Sequence, residues 1–247
     1  MKIINTLKQK RWEAGKFQVF YRMLWSFHNL YRFFAIPSYR SRILNSIRFK
    51  KYYHQFSNFT QIDRYPDLFQ MAKQNFGDIE HPKILSFGCS TGEEVVTLST
   101  YIPHASIVGI DINTWCLKEA NRKYASENPR FFHSLSSEFL SLHDFDAIFC
   151  LAVFQHPENR HNKNRKESAY SFEHFENQLK ELDKKLKSKG LLFIDHSDFN
   201  FLETNLMPNY QIATFDRNQK SRQRPIFNKK NQKLSEYQNL FRVFQKK

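Results

Sequence analysis

The first sixty residues carry apolar side chains at helical spacing. One face of the predicted helix collects Phe17, Phe20, Tyr21, Leu24, His28 and Tyr31. This spacing predicts an amphipathic helix. Pro37 and Ser38 interrupt the pattern, and a second helix is predicted from about Tyr39 to Phe56.

From about residue 61 to residue 200, short apolar runs alternate with helical patterns. Strands are predicted at Lys83–Phe87, Ser106–Ile110, Arg130–His133, Asp146–Val153 and Leu191–Asp195. Helices are predicted at Glu93–Tyr101, Trp115–Ala125 and Phe172–Leu186. Gly190 is expected to terminate the last of these helices. Further strand candidates are Gln211–Phe215 and Leu240–Phe244. This alternation predicts an α/β fold with a parallel sheet covered on both faces.

Charge is distributed unevenly along the 247 residues, whose formal net charge is +14. Residues 1–60 hold 12 basic residues and one acid, residues 61–200 hold 16 and 20, and residues 201–247 hold 10 and 3. The basic ends favour an anionic partner, such as nucleic acid, a membrane surface or an acidic protein. The alternative is that these charges only keep exposed faces solvated.

Residues 1–60 are also rich in aromatic side chains, which leaves three interpretations open. The aromatic stripe packs on its own domain, lies on a membrane, or helps to hold nucleic acid. Packing is favoured. No signal peptide is evident, and Arg22 and Arg32 interrupt the most apolar stretch, which argues against a spanning helix. Three scattered cysteines favour a reduced, cytoplasmic setting, with peripheral membrane attachment as an option.

A glycine-rich turn carries the clearest chemical signal. In KILSFGCSTGEE, Gly88 and Gly92 follow a predicted strand and precede a predicted helix. Asp111 ends the next predicted strand, where an acid typically accepts hydrogen bonds from ribose hydroxyls. Together these features indicate an adenosine-containing ligand at the carboxyl edge of the sheet.

Other interpretations of the turn fit less well. Glu93 and Glu94 open the helix and would repel a pyrophosphate, but they would not repel a cation. Residues 88–92 also match the G-x-S-x-G nucleophile elbow. That arrangement requires a late histidine, and none follows His196. A turn without any ligand is the remaining alternative.

Residues 61–200 resemble class I S-adenosylmethionine-dependent methyltransferases. Gly88, Ser90 and Gly92 fall on the family's glycine-rich motif, and Asp111 falls on its ribose-binding acid. Phe145–Asn159 resembles the fourth strand with its active-site loop, and Leu186–Phe199 resembles the fifth strand. Ser86 stands where the family usually has an acid.

Several strings are similar to chemotaxis receptor methyltransferases of the CheR type. They are GCSTGEE (88–94), DIN (111–113), FDAIFC (145–150) and GLLFIDHSDF (190–199). The small β-subdomain of that type is absent here, and Leu151-Ala152 replace its Arg-Asn. Only cofactor binding is therefore carried over, and not the receptor substrate.

The resemblance implies a Rossmann-like three-layer sandwich with a seven-stranded, mostly parallel sheet in residues 61–247, and a basic helical extension in residues 1–60. It implies S-adenosyl-L-methionine as cofactor. The predicted cofactor-binding residues are Phe87, Gly88, Cys89, Ser90, Gly92, Glu93, Asp111, Ile112, Asn113, Cys150 and Leu151.

The candidate catalytic residues are His156, Asp195 and His196, with Asp198 as a further candidate base. His156 is preferred because the pKa of histidine suits neutral pH. The alternative is that His156, followed by Pro157, caps a turn. No metal is predicted, since His156 and His161 have no third ligand nearby in sequence.

The methyl acceptor is left open between a small molecule, a lipid or glycan, and a protein carboxylate. Methylation of exocyclic amino groups in nucleic acid is disfavoured, since Leu151–Phe154 lacks the Asn/Asp-Pro-Pro-aromatic string of such enzymes. Cys150 lies in an apolar run, which argues against a nucleophilic cysteine. The alternative function is a non-catalytic module of the same fold that binds a polyanion through its basic ends. No oligomeric state is predicted.

Overall fold

The structure is a computed structural model that describes residues 18–124, 130–161, 166–213, 225–235 and 241–247. The chain divides into two compact units, residues 1–48 and residues 49–247. Residues 49–60, which the sequence analysis grouped with the N-terminal extension, lie in the second unit. The predicted strands at Gln211–Phe215 and Leu240–Phe244 fall partly outside the described residues, as do residues 217–224 of the basic stretch at 217–233.

The described part of the first unit consists of two helices, α1 (Gln18–Ala35) and α2 (Pro37–Arg48). Pro37 occupies the first position of α2, where its missing N–H costs nothing. Tyr39 is flanked by two guanidinium groups, with Arg32 4.0 Å and Arg42 4.8 Å from the ring centroid. Among the described residues, no helix combines the length and the apolar character that crossing a bilayer requires.

The second unit is built on one seven-stranded sheet with the strand order 3-2-1-4-5-7-6. Its strands are β1 (Lys83–Phe87), β2 (Ser106–Asp111), β3 (Arg130–His133), β4 (Phe145–Leu151), β5 (Leu186–Asp195), β6 (Tyr210–Ile212) and β7 (Val243–Lys246). Strands β1 to β5 pair in parallel, and β7 runs antiparallel to both β5 and β6. The Rossmann-like, mostly parallel sheet predicted from the sequence is confirmed.

Helices cover both faces of the sheet. They are α3 (Pro66–Phe76), α4 (Glu93–Tyr101), α5 (Thr114–Lys123), α6 (Ser137–Leu140), α7 (Pro157–His161) and α8 (Phe172–Asp183). Alternate strand residues feed two separate apolar cores. Ile84 and Phe149 pack with α3, α4 and α5, whereas Leu85 and Ile148 pack with α6 and α8. This period of two places one helical layer on each side of the sheet.

Two predictions from the sequence need correction, and one helix was not predicted. The helix expected at Tyr39–Phe56 ends at Arg48, and the chain then runs without regular structure along the sheet unit. Helix α8 ends at Asp183, so Gly190 does not stop it but lies inside β5. Helix α3 was not predicted, although Pro66 at its start and buried Phe69 and Phe76 are the signals that could have revealed it.

Candidate functional site

The carboxyl ends of β1, β2, β4 and β5 meet along one edge of the sheet, the carboxyl edge. Three of these strands are followed within three residues by a non-glycine residue with left-handed backbone geometry: Ser90 (φ 51°), Ala152 (φ 61°) and His196 (φ 53°). Such backbone geometry costs about 1 to 3 kcal/mol per residue and is concentrated at functional sites. Three of the eight such residues in the described part of the chain therefore lie at the edge that the sequence motifs indicated.

The glycine turn after β1 is held by backbone contacts. The N–H groups of Gly88 and Cys89 both donate to the carbonyl of Ile110 on β2, at 2.8 and 2.9 Å. Gly88 and Gly92 have φ angles of 82° and 95°. A Cβ on Gly88 would lie 2.8 Å from the Val153 side chain, so the turn admits only glycine there.

Asp111 closes this part of the edge. Its Oδ2 accepts from the Ser90 N–H at 2.8 Å and its Oδ1 accepts from the Asn113 N–H at 2.7 Å. Burial raises the pKa of Asp111, and the hydrogen bonds from the backbone partly offset that rise. The carboxylate thus joins the glycine turn to the end of β2 and keeps further lone pairs for a ligand.

The two glutamates at the start of α4 have different environments. Glu93 accepts from Thr91 Oγ1 at 2.6 Å and from Lys123 Nζ at 2.7 Å. Burial opposes its charge, but these hydrogen bonds outweigh it and lower its pKa. Glu94 instead accepts from Ser86 Oγ at 2.7 Å, and burial raises its pKa to about 7. Ser86 occupies the β1 position at which the sequence resemblance implies an acid. Glu94, at the start of α4, places a carboxyl group next to that position.

The other predicted cofactor-binding residues lie at or near the carboxyl ends of β1, β2 and β4. Phe87 is partly buried, and Asn113 caps α5 by accepting from the Trp115 N–H at 3.1 Å. The carbonyl of Ile112 lies 3.1 Å from His133 Nε2, and Leu151 pairs with Asp195 across β4 and β5.

The thiols of Cys89 and Cys150 are buried in the apolar cores, and burial raises both pKa values well above the ordinary value. These two residues can reach a ligand only through their backbone.

A segment that we call the strap, Tyr52–Phe59, crosses the carboxyl edge. Over the β1–β2 part, the Asn58 carbonyl accepts from Ser90 Oγ at 2.9 Å, and Asn113 Nδ2 lies 3.3 Å from Asn58 Oδ1. Asn113 Nδ2 also lies 3.4 Å from the Tyr53 hydroxyl. The strap therefore lies directly against the residues of the glycine turn.

The same segment is tied to the loop after β4. Gln55 Nε2 donates to the Ala152 carbonyl at 2.8 Å, and His54 Nε2 lies 2.9 Å from the Val153 carbonyl. The His54 ring stacks on Tyr170 with centroids 4.1 Å apart. Burial, and then the neighbouring His174, lower the pKa of His54 to about 4, so it is neutral at physiological pH.

Polar and charged side chains lie in contact at the β5 end. His196 Nδ1 lies 3.2 Å from Asp195 Oδ1 and 3.3 Å from the Tyr65 hydroxyl. Arg242, which is buried, donates to Asp195 at 3.4 Å and to Asp67 at 2.6 Å. Burial opposes ionisation of Asp195, but His196 and Arg242 outweigh it and lower its pKa. The structure thus brings two predicted catalytic residues together, with Arg242 holding the carboxylate.

His156 occupies a different position. Its backbone N–H donates to Asp198 Oδ2 at 2.6 Å, and its Nδ1 accepts from the Glu158 N–H at 3.3 Å at the start of α7. Asn159 Nδ2 donates to the same Asp198 oxygen at 2.7 Å. Since Nδ1 of His156 accepts a hydrogen bond, the neutral ring carries its proton on Nε2 and is a donor there.

Sequence reasoning missed the strap, Arg242 and Asp67. Residues 67, 195 and 242 are far apart in the chain, so no local sequence spacing indicates that their side chains are in contact. A basic residue within the predicted last strand, Leu240–Phe244, was the available sequence signal for Arg242. Among the described residues, no group of three or more His, Cys, Asp or Glu side chains is placed to hold a metal ion.

Comparison with known proteins gives one family match. Residues 84–171 match the model of a methyltransferase domain. This segment runs from β1 through the glycine turn, Asp111 and the loop after β4. It therefore contains the β1–β2 part of the site and ends just before α8.

One curated protein is 31% identical over 83 residues, the uncharacterized protein RP789 of Rickettsia prowazekii (strain Madrid E). The match covers 32% of this chain and 15% of that protein. The similarity to chemotaxis receptor methyltransferases stays a prediction.

Solved structures resemble the chain at low identity. PKMT2 from Rickettsia typhi in complex with AdoHcy is 20% identical, with a TM-score of 0.41, over 55% of this chain and 26% of that one. The plantazolicin methyltransferase BpumL in complex with SAH is 16% identical, with a TM-score of 0.37, over 78% and 60%. Residues 84–171 thus match a methyltransferase domain on a Rossmann-like sheet, and S-adenosylmethionine is the cofactor that fits this match.

Proposed function

We propose that the protein binds S-adenosylmethionine at the β1–β2 part of the carboxyl edge and transfers its methyl group to a nucleophile at the β4–β5 part. The observation that carries this proposal is the Asp111 carboxylate, bonded to the Ser90 N–H of the glycine turn at 2.8 Å. A turn, an acid and a helix start then face one edge of a parallel sheet, where such folds bind nucleoside ligands.

The side chains of the β1–β2 part suit a ligand that combines ribose hydroxyls with positive charge. Asp111 has acceptor capacity left for the hydroxyl groups. Glu94, with a pKa raised to about 7, gains a partner for its charge when an ammonium group approaches. A pyrophosphate would instead meet Glu93 and Glu94 with like charge, so a dinucleotide fits this site poorly.

The cofactor supplies an electrophilic methyl group when it is bound. The protein then has to align the acceptor and, for a protonated oxygen or nitrogen, remove a proton. We assign that role to His196. Its Nδ1 lies 3.2 Å from Asp195 Oδ1, so the tautomer with the proton on Nδ1 faces a carboxylate and keeps the Nε2 lone pair to accept the proton.

This assignment replaces the preference for His156 that the sequence suggested. With Nδ1 engaged by the Glu158 N–H, His156 presents a donor at Nε2, and a donor can orient an acceptor but cannot take its proton. The acceptor class stays open among oxygen and nitrogen nucleophiles of small molecules, lipids, glycans and proteins.

The direct test is a calorimetric titration of the full chain with S-adenosylmethionine, S-adenosylhomocysteine and NAD. We expect dissociation constants in the micromolar range for the first two ligands and no heat with NAD. Binding of NAD, or of none of the three, would overturn the cofactor assignment. Transfer of a labelled methyl group to components of a cell extract then tests catalysis, and cofactor binding without any transfer would favour a non-catalytic module.

A further inference from the structure

Helix α1 carries a continuous exposed apolar stripe. Its members are Val19, Phe20, Met23, Phe27, Leu30, Tyr31 and Phe34. Each of these residues is 54 to 68% exposed to solvent, although large apolar side chains are usually buried. At 3.6 residues per turn the seven positions fall within about a third of the helix circumference. Exposed apolar patches of this kind mark interaction surfaces.

The charges of the two helices all have one sign. Residues 18–48 contain five arginines and no aspartate or glutamate. The two arginines of α1, Arg22 and Arg32, lie outside the stripe, so its surface is apolar throughout. An apolar stripe on a helix whose other faces carry positive charge fits a surface that offers both hydrocarbon and negative charge.

We propose that α1 and α2 form a docking surface for an anionic lipid bilayer. Helix α1 lies in the plane of the interface, with the stripe among the acyl chains and the arginines at the level of the headgroups. The helix does not cross the bilayer, because its arginines and its moderate apolar content exclude a spanning position. Tyr31, at the border of the stripe, suits the boundary between hydrocarbon and headgroup.

Charge complementarity selects the bilayer over two other occupants. A second copy would bring five more arginines against the first five, and this repulsion opposes pairing of two stripes. Nucleic acid would engage the arginines, yet its phosphates offer nothing to seven exposed apolar side chains. An anionic bilayer offers acyl chains to the apolar stripe and negative charge to the arginines.

Co-sedimentation of the full chain with vesicles tests this proposal without any methyl acceptor or cofactor. Vesicles of phosphatidylcholine with phosphatidylglycerol are compared with pure phosphatidylcholine, at low and at high salt. We expect binding to the anionic vesicles, weakened by salt and at least about tenfold weaker on neutral vesicles. No binding to anionic vesicles at low salt would overturn the proposal.

Two double variants separate lipid insertion from simple charge attraction. Phe27→Ser with Phe34→Ser should weaken binding by about tenfold or more, because two exposed rings no longer enter the hydrocarbon. The control, Ile79→Ser with Leu140→Ser, changes two exposed apolar residues of the sheet unit and should leave binding unchanged. Equal binding by both variants would overturn the assignment of the stripe.

Two further outcomes would point to the rejected occupants. A concentration-dependent dimer in sedimentation that the Phe27/Phe34 variant abolishes would assign the stripe to a second copy. Heparin binding that survives this change, together with absent vesicle binding, would assign the arginines to a polyanion. Circular dichroism of each variant verifies the fold, and exposed positions of this kind are expected to tolerate serine.

Discussion

The two halves of the carboxyl edge of the sheet are built in different ways. At the β1–β2 half, one carboxylate, Asp111, is held by two backbone N–H groups, and partial burial raises the pKa of Glu94. At the β4–β5 half, Asp195 is ionised between His196 and Arg242, and its pKa is lowered. Under the proposed function, the first half would bind the ribose hydroxyls and the positive charge of the cofactor, and the second half would accept a proton from the methyl acceptor.

The two halves also have different neighbours. The glycine turn packs closely against Val153 and is bonded to the strap through Ser90. The β4–β5 half instead contains the charged or titratable side chains of Asp195, His196 and Arg242. If the proposed function is right, substitutions at the two halves should affect cofactor binding and methyl transfer separately.

The largest effect is expected from Asp111→Ala. It removes the acceptor for the ribose hydroxyls and frees the glycine turn, so cofactor affinity should fall more than about a hundredfold. Calorimetric titration measures the change. Asp144→Asn, at an exposed acid on the opposite edge of the sheet, is the matched control and should bind normally. Unchanged affinity in Asp111→Ala would show that the ligand binds elsewhere.

Glu94→Gln should stabilise the fold and weaken the cofactor site. Burial raises the pKa of Glu94 from 4.5 to about 7, so its contribution to stability is full below pH 4.5 and is lost as the pH rises to about 7. Above pH 7 the variant should gain up to about 3 kcal/mol in free energy of unfolding, and near pH 4 it should gain nothing.

Denaturant unfolding at pH 8 and pH 4.5 measures the gain in stability. The same variant should bind S-adenosylmethionine about tenfold more weakly at pH 8, where native Glu94 is charged. Glu181→Gln, at an exposed acid of α8, controls for a general charge effect. Equal stability of Glu94→Gln and the native chain at pH 8 would contradict the buried, titrating Glu94.

His196→Asn is expected to separate the two halves. It removes the proposed base, so turnover with any acceptor should fall about a hundredfold, while cofactor affinity stays within about twofold. Initial rates of methyl transfer and calorimetry give the two numbers. His156→Asn is the comparison variant, which should lower turnover less. A larger loss in His156→Asn would return the role of base to that residue.

The smallest effect is expected from Gln55→Ala in the strap. Loss of the hydrogen bond to the Ala152 carbonyl should lower the free energy of unfolding by about 1 kcal/mol. It should weaken cofactor binding only a few-fold, because Asn58 still contacts Ser90. Thermal unfolding and calorimetry measure both values. A loss of affinity as large as that of Asp111→Ala would mean that the strap belongs to the β1–β2 half.

The sheet was predictable because its signals are local. Lys83–Phe87 is an apolar run bounded by a glycine turn, and the structure places β1 at those same residues. The helix predicted to continue to Phe56 ends at Arg48, because His54 and Gln55 instead contact the loop after β4. Long-range contacts of this kind outweigh an aromatic spacing that would also suit a helix.

The sequence indicated the glycine turn, Asp111 and the Asp195–His196 pair, but not the side chains that hold them. The spacing of Gly88, Gly92 and Asp111 is visible in the sequence, and the fold brings these residues together. The raised pKa of Glu94 depends on burial, and the position of Arg242 between Asp67 and Asp195 depends on strand order, so neither is visible in a spacing. The choice between His156 and His196 likewise required the hydrogen-bond partners of each ring.

A crystal structure of the full chain with S-adenosylhomocysteine tests the division of the carboxyl edge most directly. We expect the ribose hydroxyls to lie within hydrogen-bond distance of the Asp111 carboxylate, the amino group to lie near Glu94, and the sulfur to face the end of β4. A ligand bound away from Asp111, or one whose ribose contacts the Asp195–His196 pair, would contradict it.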